Sequence, residues 1–242
     1  ERRFLFLFTA LSSGVGWLVM MGGQVTSTDL IVPESNVFFS MMSTAHFTLS
    51  QAAMLAFFIL MLLQPSPLMW RRAGQFVLLA VSAVFLMILQ PFMAAVILPV
   101  GGIFLLAQWR IHHVFPWSTF WRMVLATAVC IGLAIWIYQL VQTDPFLANW
   151  QSQNETLSPP VWDYLSGYGL VLLAALVGMV WAIRQKDAAL WLLVAWVVVT
   201  AVGLYSPIML QRRLSLGLHI PIAILGGLAI LNVWAPRWKE KN

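Results

Sequence analysis

Apolar residues in this chain run in long continuous stretches, separated by short polar segments that carry most of the charge. Eight stretches read as membrane-spanning helices: 4–22, 47–64, 75–90, 92–109, 121–142, 164–183, 189–206 and 219–234. A helix needs roughly 20 apolar residues to cross a hydrocarbon core of about 30 Å. A β-barrel would show alternating segments of roughly ten residues, and no such alternation occurs here. The pattern therefore predicts an all-α polytopic transmembrane helix bundle, a single helical domain over residues 1–242.

The third and fourth stretches form one apolar run, Gln75–Trp109, of 35 residues. A straight helix of that length would measure roughly 52 Å, too long for one crossing. Pro91 lies mid-run, and proline removes a backbone donor and clashes one turn back. A hairpin at Gln90-Pro91 gives two short crossings.

Charge decides between the two topologies. With eight spans and a cytoplasmic N-terminus, 11 of the 13 basic residues lie inside: Arg2, Arg3, Arg71, Arg72, Arg110, Arg122, Arg184, Lys186, Arg237, Lys239 and Lys241. Only Arg212 and Arg213 stay outside. A single crossing of Gln75–Trp109 would leave six inside against seven outside. Cytoplasmic loops favour Lys and Arg, so eight spans win and both termini are cytoplasmic. Asp29, Glu34, Asp144, Glu155 and Asp163 then all fall outside.

Composition agrees. The chain is 61% hydrophobic and 9% charged, against about 25% charged in soluble domains. The net charge of +5 reflects loop residues and does not imply a nucleic-acid partner. The one cysteine, Cys130, sits in an apolar run and reads as a packing residue. No Cys or His spacing suits a metal. The chain begins ERRFLFLF without an initiator methionine, which reads as a processed chain or part of a longer one. Segment 4–23 lacks a small-x-small cleavage site, so a span is the better reading than a signal peptide.

Three outer segments are long enough to build a site. In 23–46, Pro33-Glu34 suits the first turn of a short helix. Val37, Phe38, Met41, Met42 and Ala45 then form an amphipathic stripe, which predicts a short interfacial helix ending at His46. Segment 143–163 is polar with tandem prolines and reads as a structured loop rather than a helix. It carries a chance-level glycosylation sequon at Asn154 and two aromatic anchors, Trp150 and Trp162.

The third segment, 205–219, holds Tyr205, Arg212, Arg213 and His219. Adjacent arginines on a helix point about 100° apart, but in a bent loop both can face one ligand. Arginine grips phosphate through a bidentate fork, so this pair suits a lipid phosphate or pyrophosphate. The same arginines equally suit ion pairs with Asp29, Glu34 or Asp163, or snorkelling to ordinary headgroups. Asp29 and Glu34 are the candidate acid/base pair, and His46 and Tyr205 further outer-face candidates. No acid, base or metal cluster lies within a span, which argues against a pump or channel. Ala10/Gly14, Ser12/Gly16 and Ala223/Gly227 suit close helix packing.

Four stretches carry a family likeness: DLIVPESNVFFSMMSTAHFTLS at 29–50, LQPF at 89–92, SPPVWDYLSGYG at 158–169 and YSPIMLQRRLSLGLHIPIAIL at 205–225. Together they resemble the C-terminal half of bacterial membrane proteins of the glycosyltransferase C superfamily. The resemblance implies a sugar transferase of the bacterial cytoplasmic membrane that takes a polyprenyl-phosphate sugar at the outer face. It implies Arg212, Arg213 and His219 as donor-phosphate ligands, and a catalytic Asp in the first outer loop, where Asp29 stands. It also implies a His and an acid near LQPF, where this chain has Gln90 and Met93. Those two departures favour an alternative: a non-catalytic accessory subunit packed on other membrane subunits or on a missing N-terminal half. A lipid flippase is a third reading and would need a polar groove through the bundle.

Overall fold

The computed structural model describes residues 1–153 and 155–236. Asn154 of the sequon and the basic residues Arg237, Lys239 and Lys241 lie outside the described residues, as does the Trp150 side chain. In chain order the α-helices are α1 (Arg2–Leu11), α2 (Gly16–Met21), α3 (Thr28–Ile31), α4 (Val37–Ser43), α5 (Ala45–Leu62) and α6 (Met69–Leu89). They continue with α7 (Ala94–His112), α8 (Trp117–Thr143), α9 (Pro145–Gln153), α10 (Val161–Arg184), α11 (Ala188–Gly203) and α12 (His219–Ala229). A π-helical turn, Ile230–Trp234, extends α12. No strand occurs among the described residues.

Seven of these units are long and apolar enough to cross a membrane, with α1–α2 and the stretch from Gln211 to Trp234 each counted once. The apolar α11, at 16 residues, supplies the eighth crossing. The protein is an all-α polytopic bundle of about eight spans.

The turn at Gln90-Pro91 is present. Proline keeps its preceding residue out of the helical region, and Gln90 has φ −149° and ψ 75°. Pro91–Met93 makes one 3-10 turn, and α7 then runs back. Two contacts fix the direction. Arg122, near the start of α8, bonds to Leu63 beyond α5 and to Gln75 in α6. Residues 113–116 link α7 to α8, so α7 finishes at that same end of the bundle. At the other end, Arg213 lies over the Phe92 ring, 5.8 Å from its centroid. Pro99, inside α7, leaves that helix unbroken.

The first crossing departs from expectation. Segment 4–22 was expected to be one helix, but it breaks at Ser12–Val15. The cause is a close crossing with α10. A Cβ at Gly14 would run into the Gly167 backbone, and one at Gly167 would run into Thr28 of α3. Val15 N–H donates to the Ser166 carbonyl at 2.9 Å. Opposite it, α10 leaves helical geometry at Gly169, with φ +46° and ψ −130°. Deeper in the bundle, Gly178 of α10 rests on the Leu225 backbone of α12, and Gly227 receives Leu5 and Phe8 of α1. α12 is buried along most of its length. Small residues thus set the helix approach within this chain. Cys130 is a buried free thiol.

Two loops also differ from expectation. Residues 145–153 form α9 rather than irregular loop. Asp144 Oδ1 accepts from the Phe146 and Leu147 N–H groups at 2.8 and 3.4 Å, and Pro145 takes the first helical position. An Asp-Pro helix start outweighed the later prolines. In the first loop, Pro33 opens a separate 3-10 turn, Pro33–Ser35. The short helix α4 follows, capped by Asn36 Oδ1 accepting from Phe39 N–H at 3.2 Å. Its stripe divides: Phe38, Met41 and Met42 are exposed, while Val37 packs on the core.

Candidate functional site

The arginine pair sits on a framework of backbone bonds. Thr156 N–H donates to the Met209 carbonyl at 2.8 Å, and Arg212 N–H returns to the Thr156 carbonyl at 3.0 Å. Gln211 bridges the same two segments: its Oε1 accepts from Ser158 N–H at 3.2 Å, and its Nε2 donates to the Ser206 carbonyl at 2.6 Å. The Tyr205 hydroxyl donates to the Pro159 carbonyl at 2.9 Å. Gln211–Ser215 then winds as a 3-10 helix, with Leu214 and Ser215 buried beneath it.

That turn brings both side chains to one carboxylate, Glu34, from different directions. A 3-10 helix has three residues per turn, so neighbours diverge even more than on an α-helix. Arg212 Nη2 reaches Glu34 Oε1 at 3.9 Å. Arg213 covers Phe92, in the hairpin turn. The Arg212 side chain is 35% exposed, whereas that of Glu34 is only 5% exposed. Glu34 Oε2 and Arg212 Nε have no hydrogen-bond partner among the described residues.

Glu34 is placed by its neighbours. Ser35 Oγ donates to the Thr28 and Val32 carbonyls at 3.0 and 2.8 Å. Ser40 Oγ holds the Pro33 carbonyl at 2.5 Å, and Gln51 Nε2 holds Ser40 Oγ at 2.8 Å. Nearly every side chain in this bracket is buried. The carboxylate therefore projects from a fixed turn.

The other candidates stand apart from the pair. Asp29 accepts from Gly16 N–H at 3.2 Å, from Ser27 Oγ at 2.5 Å and from Ser13 Oγ at 3.4 Å. Its carboxylate anchors the start of α2. His219, grouped with the arginines on sequence, is 1% exposed in the core. Its Nε2 lies 3.3 Å from Ser12 Oγ, and its ring stacks on Tyr168 with centroids 6.3 Å apart. A side chain so enclosed does not share the surface of Arg212 and Arg213; the turn at Gly217 (φ +77°) carries the chain inward between them. His46 is exposed at the start of α5 against Phe47, centroids 4.3 Å apart. Tyr205 meets Tyr164 edge-on at 6.5 Å. Partial burial, and then the charge of Asp163, raise the Tyr205 hydroxyl above the usual phenol range.

Three residues that matter were not singled out by sequence. Phe92 was read only within the LQPF stretch at 89–92, and Tyr168 only within the span 164–183 and the stretch at 158–169. Arg122 was counted as a loop charge, yet it is 1% exposed and bonds to three backbone carbonyls. Its position inside an apolar stretch was the available signal. Among the described residues no group of three or more His, Cys, Asp or Glu could hold a metal ion. At the Arg122 end, a groove of about 620 Å³ is lined by Ile103, Leu106, Trp109, Arg110, His113 and Trp191.

The fold and the Arg212–Arg213 end of the bundle define a polytopic α-helical membrane protein with a paired-arginine surface. No protein-family model, curated protein or solved structure matches the chain.

Proposed function

We propose that the Arg212–Arg213 end of the bundle binds the phosphate of a polyprenyl-phosphate sugar, and that the chain is the membrane half of a glycosyltransferase-C-like enzyme. In this reading the arginine end faces outward, both termini are cytoplasmic, and the membrane is bacterial. One observation carries it: two adjacent guanidinium groups share a rigid 3-10 turn, and the closest carboxylate, Glu34, stops 3.9 Å short of Arg212. The Phe92 ring beneath Arg213 lowers the local dielectric, which strengthens a charge pair. Arg212 and Arg213 would steady the leaving phosphate as the sugar transfers. The base would come from elsewhere.

The test is binding of a polyprenyl phosphate to the full chain in zwitterionic nanodiscs. Arg212→Gln and Arg213→Gln should each weaken it by about tenfold or more, the loss of a charge-assisted fork. Unchanged binding in the double variant rejects the site.

A second reading, an accessory subunit without chemistry, is favoured by Asp29. That carboxylate is engaged with a backbone N–H and two serines. Under it the arginine end holds a structural lipid, and the partner chains are other membrane subunits.

A further inference from the structure

Glu34 and Arg212 form an ion pair that is too long for a hydrogen bond. Their closest atoms are 3.9 Å apart, while a charge-assisted hydrogen bond lies near 2.7–2.9 Å. The gap has a cause in the backbone. The Glu34 turn is clamped by Ser35, Ser40 and Gln51, and the Arg212 turn by Thr156 and Gln211. Neither turn is free to close on the other. A carboxylate almost fully out of water, with Oε2 unbonded among the described residues, is an incompletely satisfied charge.

We infer that Glu34 is a resident counter-anion that occupies the arginine site when it is empty and must be outcompeted by the incoming phosphate. This rests on the lipid-phosphate reading above and deepens it. Glu34 offers Arg212 one distant oxygen. A phosphate brings two or three oxygens that approach to hydrogen-bonding distance on the exposed side of the guanidinium. Once bound, it places a like charge beside the buried carboxylate, and that repulsion opposes binding. Glu34 therefore acts against anions that offer arginine a single oxygen and leaves the site to groups able to fork with it. It sets specificity by repulsion and takes no part in bond making.

The experiment measures polyprenyl phosphate and inorganic phosphate binding to the full chain in zwitterionic nanodiscs. It compares the native sequence, Glu34→Gln, Glu34→Asp, and Glu34→Gln combined with Arg212→Gln. Glu34→Gln should bind polyprenyl phosphate roughly tenfold tighter, within the usual range of coupling between charged sites. Glu34→Asp, which keeps the charge, should stay close to native. The gain should vanish when Arg212 is also replaced, because the two residues act on one ligand. A matching gain for inorganic phosphate would make free phosphate the ligand and leave the role of Glu34 standing. If Glu34→Gln binds as the native chain does, or more weakly, Glu34 is a structural partner of Arg212 and the inference falls while the anion site stands. If neither the native chain nor Glu34→Gln binds either probe, the anion site falls and this inference with it.

Discussion

Arg122 Nη1 donates to the Leu63 carbonyl at 2.6 Å, from a side chain only 1% exposed. The same nitrogen reaches the Leu60 carbonyl at 2.9 Å, and Nη2 reaches Gln75 Oε1 at 3.1 Å. The last carbonyls of a helix lack partners within it. One guanidinium thus closes the end of α5 and ties it to α6 and α8.

Arg122→Met should therefore cost about 2–3 kcal/mol, because it strands those carbonyls. Arg122→Lys should recover little, since a single ammonium cannot span the same acceptors. Thermal melting in detergent measures both. A melting temperature unchanged in Arg122→Met would contradict the capping role.

The crossing of the two broken helices depends on glycine. A Cβ at Gly14 would meet the Gly167 carbonyl, and one at Gly167 would meet Thr28. Alanine at either position should destabilise by about 1–3 kcal/mol through overpacking. Gly102 and Gly132 have open space around them, so alanine there is the neutral comparison in the same melting assay.

Asp29 separates a structural carboxylate from a catalytic one. Asp29→Asn keeps an oxygen acceptor for Gly16 N–H, so it should cost only about 1 kcal/mol of stability. Transfer activity in the complete protein should then follow the amount of folded protein. A loss of several orders of magnitude in rate, with folding intact, would instead make Asp29 catalytic.

The eight-span topology predicts opposite exposure of two loops. After removal of the buried native thiol by Cys130→Ser, Met209→Cys and Lys186→Cys should label from opposite faces of sealed vesicles. Labelling of both from one face would contradict the crossing by α11 between them.

The spans were legible in the sequence because bilayer thickness sets their length and burial of backbone groups in lipid forces them helical. The hairpin was legible too: charge asymmetry and Pro91 pointed to the same turn. The break at Ser12–Val15 was not. Ser12-Ser13-Gly14 interrupts the apolar run only briefly and suits close helix packing as well as a break, and the approach of α10 at Gly167 makes it a break. The helix over Pro145–Gln153 was legible in principle through Asp144-Pro145, and the tandem prolines downstream masked it.

For the site, the sequence by itself determined that two arginines and the acids Asp29 and Glu34 fall on one side of the bundle. Alternating spans and charge counting suffice for that, since each crossing reverses the side. Only the tertiary structure decided that Glu34 rather than Asp29 faces Arg212, that Phe92 underlies Arg213, and that His219 turns into the core beside Ser12 and Tyr168. Those pairings join residues 51 to 207 positions apart, and no local propensity specifies which will meet. Helix packing through glycine and the clamping of each loop by its own backbone bonds made the choice.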